Sequence, residues 1–284
     1  MKFARRIFDL ILFGNIYVAL GAVCLVQSTV LQLGYRDHFL PYSILVFFAS
    51  LFIYNFQRIF YVPQKDNSLH SVRRKWIFEN QVTVKTLAFI GLAGVSVTIF
   101  FNDLRIILYL SPLLLLSIAY FIPQVKLRKN PWFKLLTLTF VWTMVTALVP
   151  LLLLDTGPLS FAGILHLFVR MTFMIAICLP FDIRDLEIDK ADEISTIPHL
   201  IGESNTRRLA FVFMLVYILL LIVEYAGGMF GDGVFYGLIA SALLNTLFVV
   251  MSSSKRNEYF FVAGLDGTMI LQGVLLILSE KVFM

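Results

Sequence analysis

A chain of 284 residues that is 59% hydrophobic and only 14% charged, with a mean hydropathy of +0.86, lacks the polar surface to cover a water-soluble globule of its size. Its net charge of +5 is gathered in loops, with no basic stripe; this excludes a nucleic-acid partner and fits an anionic lipid surface. Cys24 and Cys178 both fall in apolar runs, so neither a disulfide framework nor a thiol metal site is supported.

Lipid is the expected solvent, and a helix is the open-ended element that satisfies its own backbone there. The apolar runs predict an all-α, polytopic membrane protein of nine spans, near 8 to 32, 39 to 61, 81 to 101, 104 to 122, 132 to 154, 160 to 181, 207 to 226, 233 to 251 and 259 to 279. The first run is too long for a signal-peptide core and lacks an A-x-A-like cleavage site, so it is read as a retained helix. Gly34 to Asp37, Asn102-Asp103, Asp155 to Pro158 and Gly227 to Gly233 are short turn sequences of the kind that join antiparallel helices. The other four connections are longer and basic.

Nine crossings place 19 of the 23 lysines and arginines on one side, leaving Arg36, Arg105 and Lys281 on the other and Arg170 within a span. This asymmetry predicts one transmembrane domain over residues 1–284, with its N-terminus inside and its C-terminus outside. The expected location is a bacterial inner (plasma) membrane, with the active face cytoplasmic.

The sharpest chemical signal follows the sixth run, where Asp182, Asp185 and Asp189 have the spacing D-x-x-D-x-x-x-D. Steps of three and four put them on one helix face, where mutual repulsion is relieved by water, lysines or a divalent cation. Glu187, Asp192 and Glu193 fall off that face and read as solvated. Arg170 and His166 lie inside the sixth run, where a charge is expected to face a polar cavity or a buried partner, the alternative being a position close to the outer interface. Asp266, near the middle of the last run, is expected to make a structural hydrogen bond or a substrate contact. Trp76, Trp132 and Trp142 read as interface or packing aromatics.

These features resemble the UbiA-type intramembrane prenyltransferase superfamily over most of the chain. Nine helices and polar inner loops after the second, fourth, sixth and eighth are its pattern. Its second acidic motif is matched at every acidic position by Asp182, Asp185 and Asp189, and Lys190, Thr196-Ile197-Pro198 and Gly202 resemble the continuation. The first motif, N-D-x-x-D-x-x-x-D, departs: with Asn55 aligned to its asparagine, Phe56, Ile59 and Pro63 stand where acids are expected. Tyr120 with Lys126, Arg128 and Lys129 resembles the family's Tyr and Lys-Arg element, although the same basic residues also serve as topology signals.

The resemblance implies transfer of an isoprenyl group from its diphosphate to a lipophilic or membrane-proximal acceptor. It assigns magnesium to Asp182, Asp185 and Asp189, catalytic roles to Asp182, Asp185 and Lys126, and diphosphate binding to Asn55, Arg58, Lys126 and Arg128. A guanidinium at Arg58 suits direct binding of diphosphate oxygens where a metal-binding acid is missing. The alternative is a non-catalytic lipid-binding or assembly protein on the same fold, for which loss of the first acidic motif is the argument. A transporter lacks an inverted repeat, and a CDP-alcohol type transferase lacks its D-G and A-R elements, as Leu186 and Lys190 stand there.

Overall fold

The computed structural model describes residues 2–35, 40–60, 71–122, 125, 127 and 130–282. Every predicted span coincides with a helix: α1 (Lys2–Phe13) and α2 (Ile16–Gln32), α3 (Leu40–Phe60), α5 (Gln81–Thr98), α6 (Arg105–Phe121), α7 (Pro131–Thr143) with α8 (Val149–Leu153), α9 (Phe161–Arg184), α12 (Glu203–Ala226), α13 (Asp232–Met251) and α14 (Asp266–Val282). Between them lie three short helices, α4 (Val72–Glu79), α10 (Leu186–Ala191) and α11 (Ile197–Ile201).

Among the described residues seven helical stretches are long and apolar enough to cross a membrane, and the bent pair α1 and α2, taken as one span, makes an eighth. The predicted fourth span is α6, a shorter apolar helix of 17 residues, so the count of nine depends on whether it crosses.

The first predicted span is corrected to two helices meeting at 53°. Asn15 adopts a left-handed φ of 63°, which an asparagine tolerates and a helix does not. A Cβ at Gly14 would lie 2.3 Å from the Leu10 carbonyl oxygen and 2.8 Å from Leu87 Cδ1, so the break admits only glycine there. Asn15 then donates to Asn55 Oδ1 at 3.1 Å, tying the bend to α3.

The helices surround α9, whose membrane window is 72% buried against 17% for the stretch Gln81–Phe101. Most of their apolar faces merge into one main core, with Leu25, Leu45, Phe173, Leu179, Tyr217 and Phe261 almost fully buried, and Leu12, Phe13 and Val262 form a smaller second cluster. Gly233 and Gly237 form a G-x-x-x-G pattern that is common in membrane helices. Here a Cβ would lie 3.0 Å from Ser279 O at the first and 2.5 Å from Ser279 Oγ at the second, so the pair seats α13 against α14 within the chain.

Candidate functional site

At the end of the bundle where the predicted inner loops meet, the helices leave a cavity of about 500 Å³. Its polar mouth carries Arg58 of α3, Arg73 and Arg74 of α4, Lys134 of α7, and Arg184, Asp182, Asp185 and Asp189 around the end of α9. Cys178, Asp266 and Met269 line it as well. Tyr54, Gln57, Tyr120, Phe121, Leu138 and Trp142 also wall a second cavity of about 310 Å³, lined mainly by apolar side chains of α3, α5, α6 and α7. Trp142 Nε1 donates to Tyr54 Oη at 2.9 Å, fixing both rings where the two volumes join.

The acidic motif does not form the continuous stack that its spacing predicts. Helix α9 ends at Arg184, Asp185 has φ −88° and ψ 8°, and α10 restarts at Leu186. The turn separates the acids into two groups. Lys134 Nζ lies 2.9 Å from Asp182 Oδ1 and 2.6 Å from Asp189 Oδ2, bridging the first and third. Asp185 turns to the arginines: Arg184 donates through Nε at 2.8 Å and Nη2 at 2.7 Å, and Arg73 Nη2 lies 3.2 Å away.

Arg73 also reaches Glu258 Oε1 at 3.1 Å, while Ser71 donates to Glu258 Oε2 at 2.5 Å and caps α4 by accepting from the Arg74 backbone N–H. This ties three inner connections together. Burial works against the charge on Asp185, yet Arg184 and Arg73 hold its carboxyl well below the usual range. Glu258 is lowered in the same way: burial opposes it, and Arg73, Arg184 and the Ser71 hydroxyl prevail. The Arg184 guanidinium stacks 4.8 Å from the Phe181 ring centroid, which orients its fork.

Asn55 is fully buried and its amide is committed to structure, donating to Gly14 O at 3.0 Å and Leu51 O at 2.8 Å. It stands outside the cavity wall, so a diphosphate-orienting role finds no geometric support. Arg58 lines the cavity, donates to the Phe13 carbonyl and forms no ion pair with the described residues. Lys126 and Arg128, together with Pro63 and Lys129, lie outside the described residues. Asp192, expected to be solvated, pairs with Arg74, because α10 folds it back toward α4.

Asp266 begins α14 directly after a wide π turn, Phe260–Leu265, of the kind often found at functional sites. It faces the cavity and its side chain makes no hydrogen bond or ion pair among the described residues, so of the two expected roles the structural bond is absent. Arg170 does find buried partners, donating to Leu25 O at 3.2 Å and Thr29 Oγ1 at 3.0 Å. His166 joins Glu224 at 3.1 Å, and neither Arg170 nor His166 lines the cavity.

Lys134, Arg73 and Arg74 escaped notice as site residues because topology alone accounts for basic loop residues, and Glu258 because a single acid in a loop forms no motif. The available signals were local: Lys134 sits one turn past the Asn130-Pro131 helix start, and Ser71 followed by Val-Arg-Arg-Lys-Trp-Ile-Phe-Glu is a capped helix.

The resemblance implies magnesium. Among the described residues no three acidic, histidine or cysteine side chains converge on one metal position. Two do share a cation position, as the Lys134 ammonium between Asp182 and Asp189 shows, and Asp182 Oδ2 is buried without a hydrogen-bond partner. One or two carboxylates plus substrate phosphates are the usual protein share of a magnesium site. The charge balance points the same way. Arg58, Arg73, Arg74, Lys134 and Arg184 face Asp182, Asp185, Asp189, Asp192, Glu258 and Asp266, so the described side chains hold no surplus positive charge for a polyanion. Asp182 and Asp189 fit a single magnesium; Asp185, clamped by two guanidiniums, does not.

No protein-family model matches the chain, and no curated protein matches it. Solved structures do match its fold. A UbiA homologue from Aeropyrum pernix K1 superposes with a TM-score of 0.67 at 15% identity, covering 92% of this chain and 98% of its own. A UbiA homologue from Archaeoglobus fulgidus, bound to GPP and Mg2+, gives 0.63 at 10% identity over 95% of this chain and 99% of its own. A digeranylgeranylglyceryl phosphate synthase gives 0.56 at 12% identity over 98% of each. The chain therefore has the UbiA-type prenyltransferase fold.

Proposed function

We propose that this chain, built on the UbiA-type fold, is an intramembrane prenyltransferase moving an isoprenyl group from its diphosphate to a lipophilic or membrane-proximal acceptor. The observation that carries the reading is the two-part cavity: an ion-lined mouth continuous with apolar walls matches a molecule with a polyanionic head and a hydrocarbon tail. The A. fulgidus homologue that shares the fold is bound to GPP and Mg2+, which supports the same ligand class.

Transfer breaks the allylic carbon–oxygen bond, and the electron pair leaves with the diphosphate. A bond then forms between that carbon and the acceptor, whose proton passes to a base. Arg58, free of any described carboxylate, and the arginines of α4 bind diphosphate oxygens and stabilise the charge that develops on them. Lys126 and Arg128 belong to the same proposal. Asp182 and Asp189 would hold magnesium, which supplies further charge neutralisation to the leaving group when bound. Asp185 positions Arg73 and Arg184. The apolar wall around Tyr54 and Trp142 keeps water from the allylic cation. Asp266, the unpaired carboxylate of the cavity, takes the acceptor's proton.

The test is purified protein in lipid nanodiscs with magnesium, a radiolabelled prenyl diphosphate and a lipid extract of the native host as acceptor pool. Label in a new lipid, with release of pyrophosphate, is expected. The second reading, a non-catalytic binding protein, is favoured by Phe56 and Ile59 in place of acids and predicts bound label without transfer.

A further inference from the structure

Lys134 occupies the one place where two acids of the motif converge, at 2.9 Å from Asp182 and 2.6 Å from Asp189, and it lines the cavity. A divalent ion held by those two carboxylates and the ammonium of Lys134 cannot share that place, since two cations so close repel each other. An ammonium on a flexible four-carbon stem can leave without moving the helix that carries it. We propose that Lys134 is an exchangeable stand-in for the metal: it pairs Asp182 with Asp189 in the ligand-free protein, yields them to magnesium, and turns its ammonium to the diphosphate.

The inference rests on the prenyl-diphosphate reading above and adds a residue and an order of events to it. The ligand-free site keeps two buried carboxylates paired to a cation without a metal, whereas an unpaired pair would not be tolerated. In the loaded site the same lysine turns its positive charge from the acids to the headgroup, where the other four described cations face six acids. Arg73 and Arg184 have no such freedom, because each is shared between Asp185 and Glu258.

The exchange predicts effects of opposite sign from one substitution. Lys134→Met, close to lysine in length and apolar, removes the competitor for Asp182 and Asp189 and also removes a diphosphate contact. Binding of Mn2+, an EPR-visible probe for magnesium, to ligand-free protein is expected to tighten at least tenfold, or ~1.4 kcal/mol. Binding of tritiated geranyl diphosphate at saturating Mg2+ is expected to weaken by a similar factor. Lys134→Arg, which keeps the charge, is expected to leave Mn2+ binding as weak as in the unsubstituted protein.

A Lys134→Met protein that binds Mn2+ no more tightly overturns the exchange, and so does one that binds both probes more weakly, as general damage to the site would produce. If Lys134→Met does not fold, the unsubstituted protein decides. Mn2+ affinity that rises as Lys134 is neutralised by carbamylation supports the exchange, and an unchanged affinity overturns it. Failure of the unsubstituted protein to bind geranyl diphosphate with or without Mg2+ overturns the prenyl-diphosphate reading itself.

Discussion

Helix α9 carries two arginines whose surroundings differ, the buried Arg170 and the half-buried Arg184. Arg170 sits among Leu25, Thr29, His166 and Glu224, its partners being a carbonyl and a hydroxyl, and it lines neither of the two cavities described above. Arg184 sits at a mouth where Asp185, Glu258, Arg73 and an open volume meet. A membrane-buried charge is a sign of function only where a ligand can reach it. A charge closed in on all sides by its own helices is a fastening between them. In the sequence Arg170 reads as a charge within a span and Arg184 as a loop residue, and neither reading contains the partner that decides its role.

The largest expected effect that separates the two regions is on turnover. Asp182→Asn keeps the shape of the side chain and removes a charge from the shared cation position, and is expected to lower prenyl transfer by about 10²- to 10³-fold in a radiolabel assay. A comparably large loss from Arg170→Met would break the distinction. Asp266→Asn is expected to reduce transfer by about 10²-fold while tritiated geranyl diphosphate still binds, as loss of a base would. Weakened binding with unchanged turnover at saturation would instead make Asp266 a binding residue.

Effects on stability come next. Arg73→Ala leaves Asp185 and Glu258 with one guanidinium between them, and breaking such a buried network costs about 3–5 kcal/mol, readable as an earlier thermal transition in detergent. Arg170→Met removes donors to Thr29 and Leu25 and is expected to cost about 1–3 kcal/mol, with prenyl diphosphate affinity unchanged.

The smallest effect is with pH. Asp185 and Glu258 are both held below their unfolded values, so the inner cluster contributes its full stability above the ordinary carboxylate range. That contribution is lost as pH falls through the depressed values. Melting temperatures should therefore decline on acidification from about pH 4.5 downward, and less so in Arg73→Ala, whose carboxylates are less depressed. An equal decline in both proteins would remove Arg73 from the cluster's energetics.

The sequence alone determined the solvent, the helical class and the position of each apolar run, because hydropathy and the need to satisfy backbone groups in hydrocarbon act locally along the chain. It also marked Asp182, Asp185 and Asp189 and the missing acids at Phe56 and Ile59, since these are matters of residue type and spacing. What only the tertiary structure decided was partnership. The break after Arg184 sends Asp185 to Arg73 and Arg184, and Asp189 back to Lys134 beside Asp182. The left-handed Asn15 turns one expected span into two helices and draws Asn55 out of the site. These outcomes depend on backbone direction at single residues and on charges up to 112 positions apart, such as Arg73 and Asp185, and Coulomb attraction depends on separation in space, which a linear pattern does not contain.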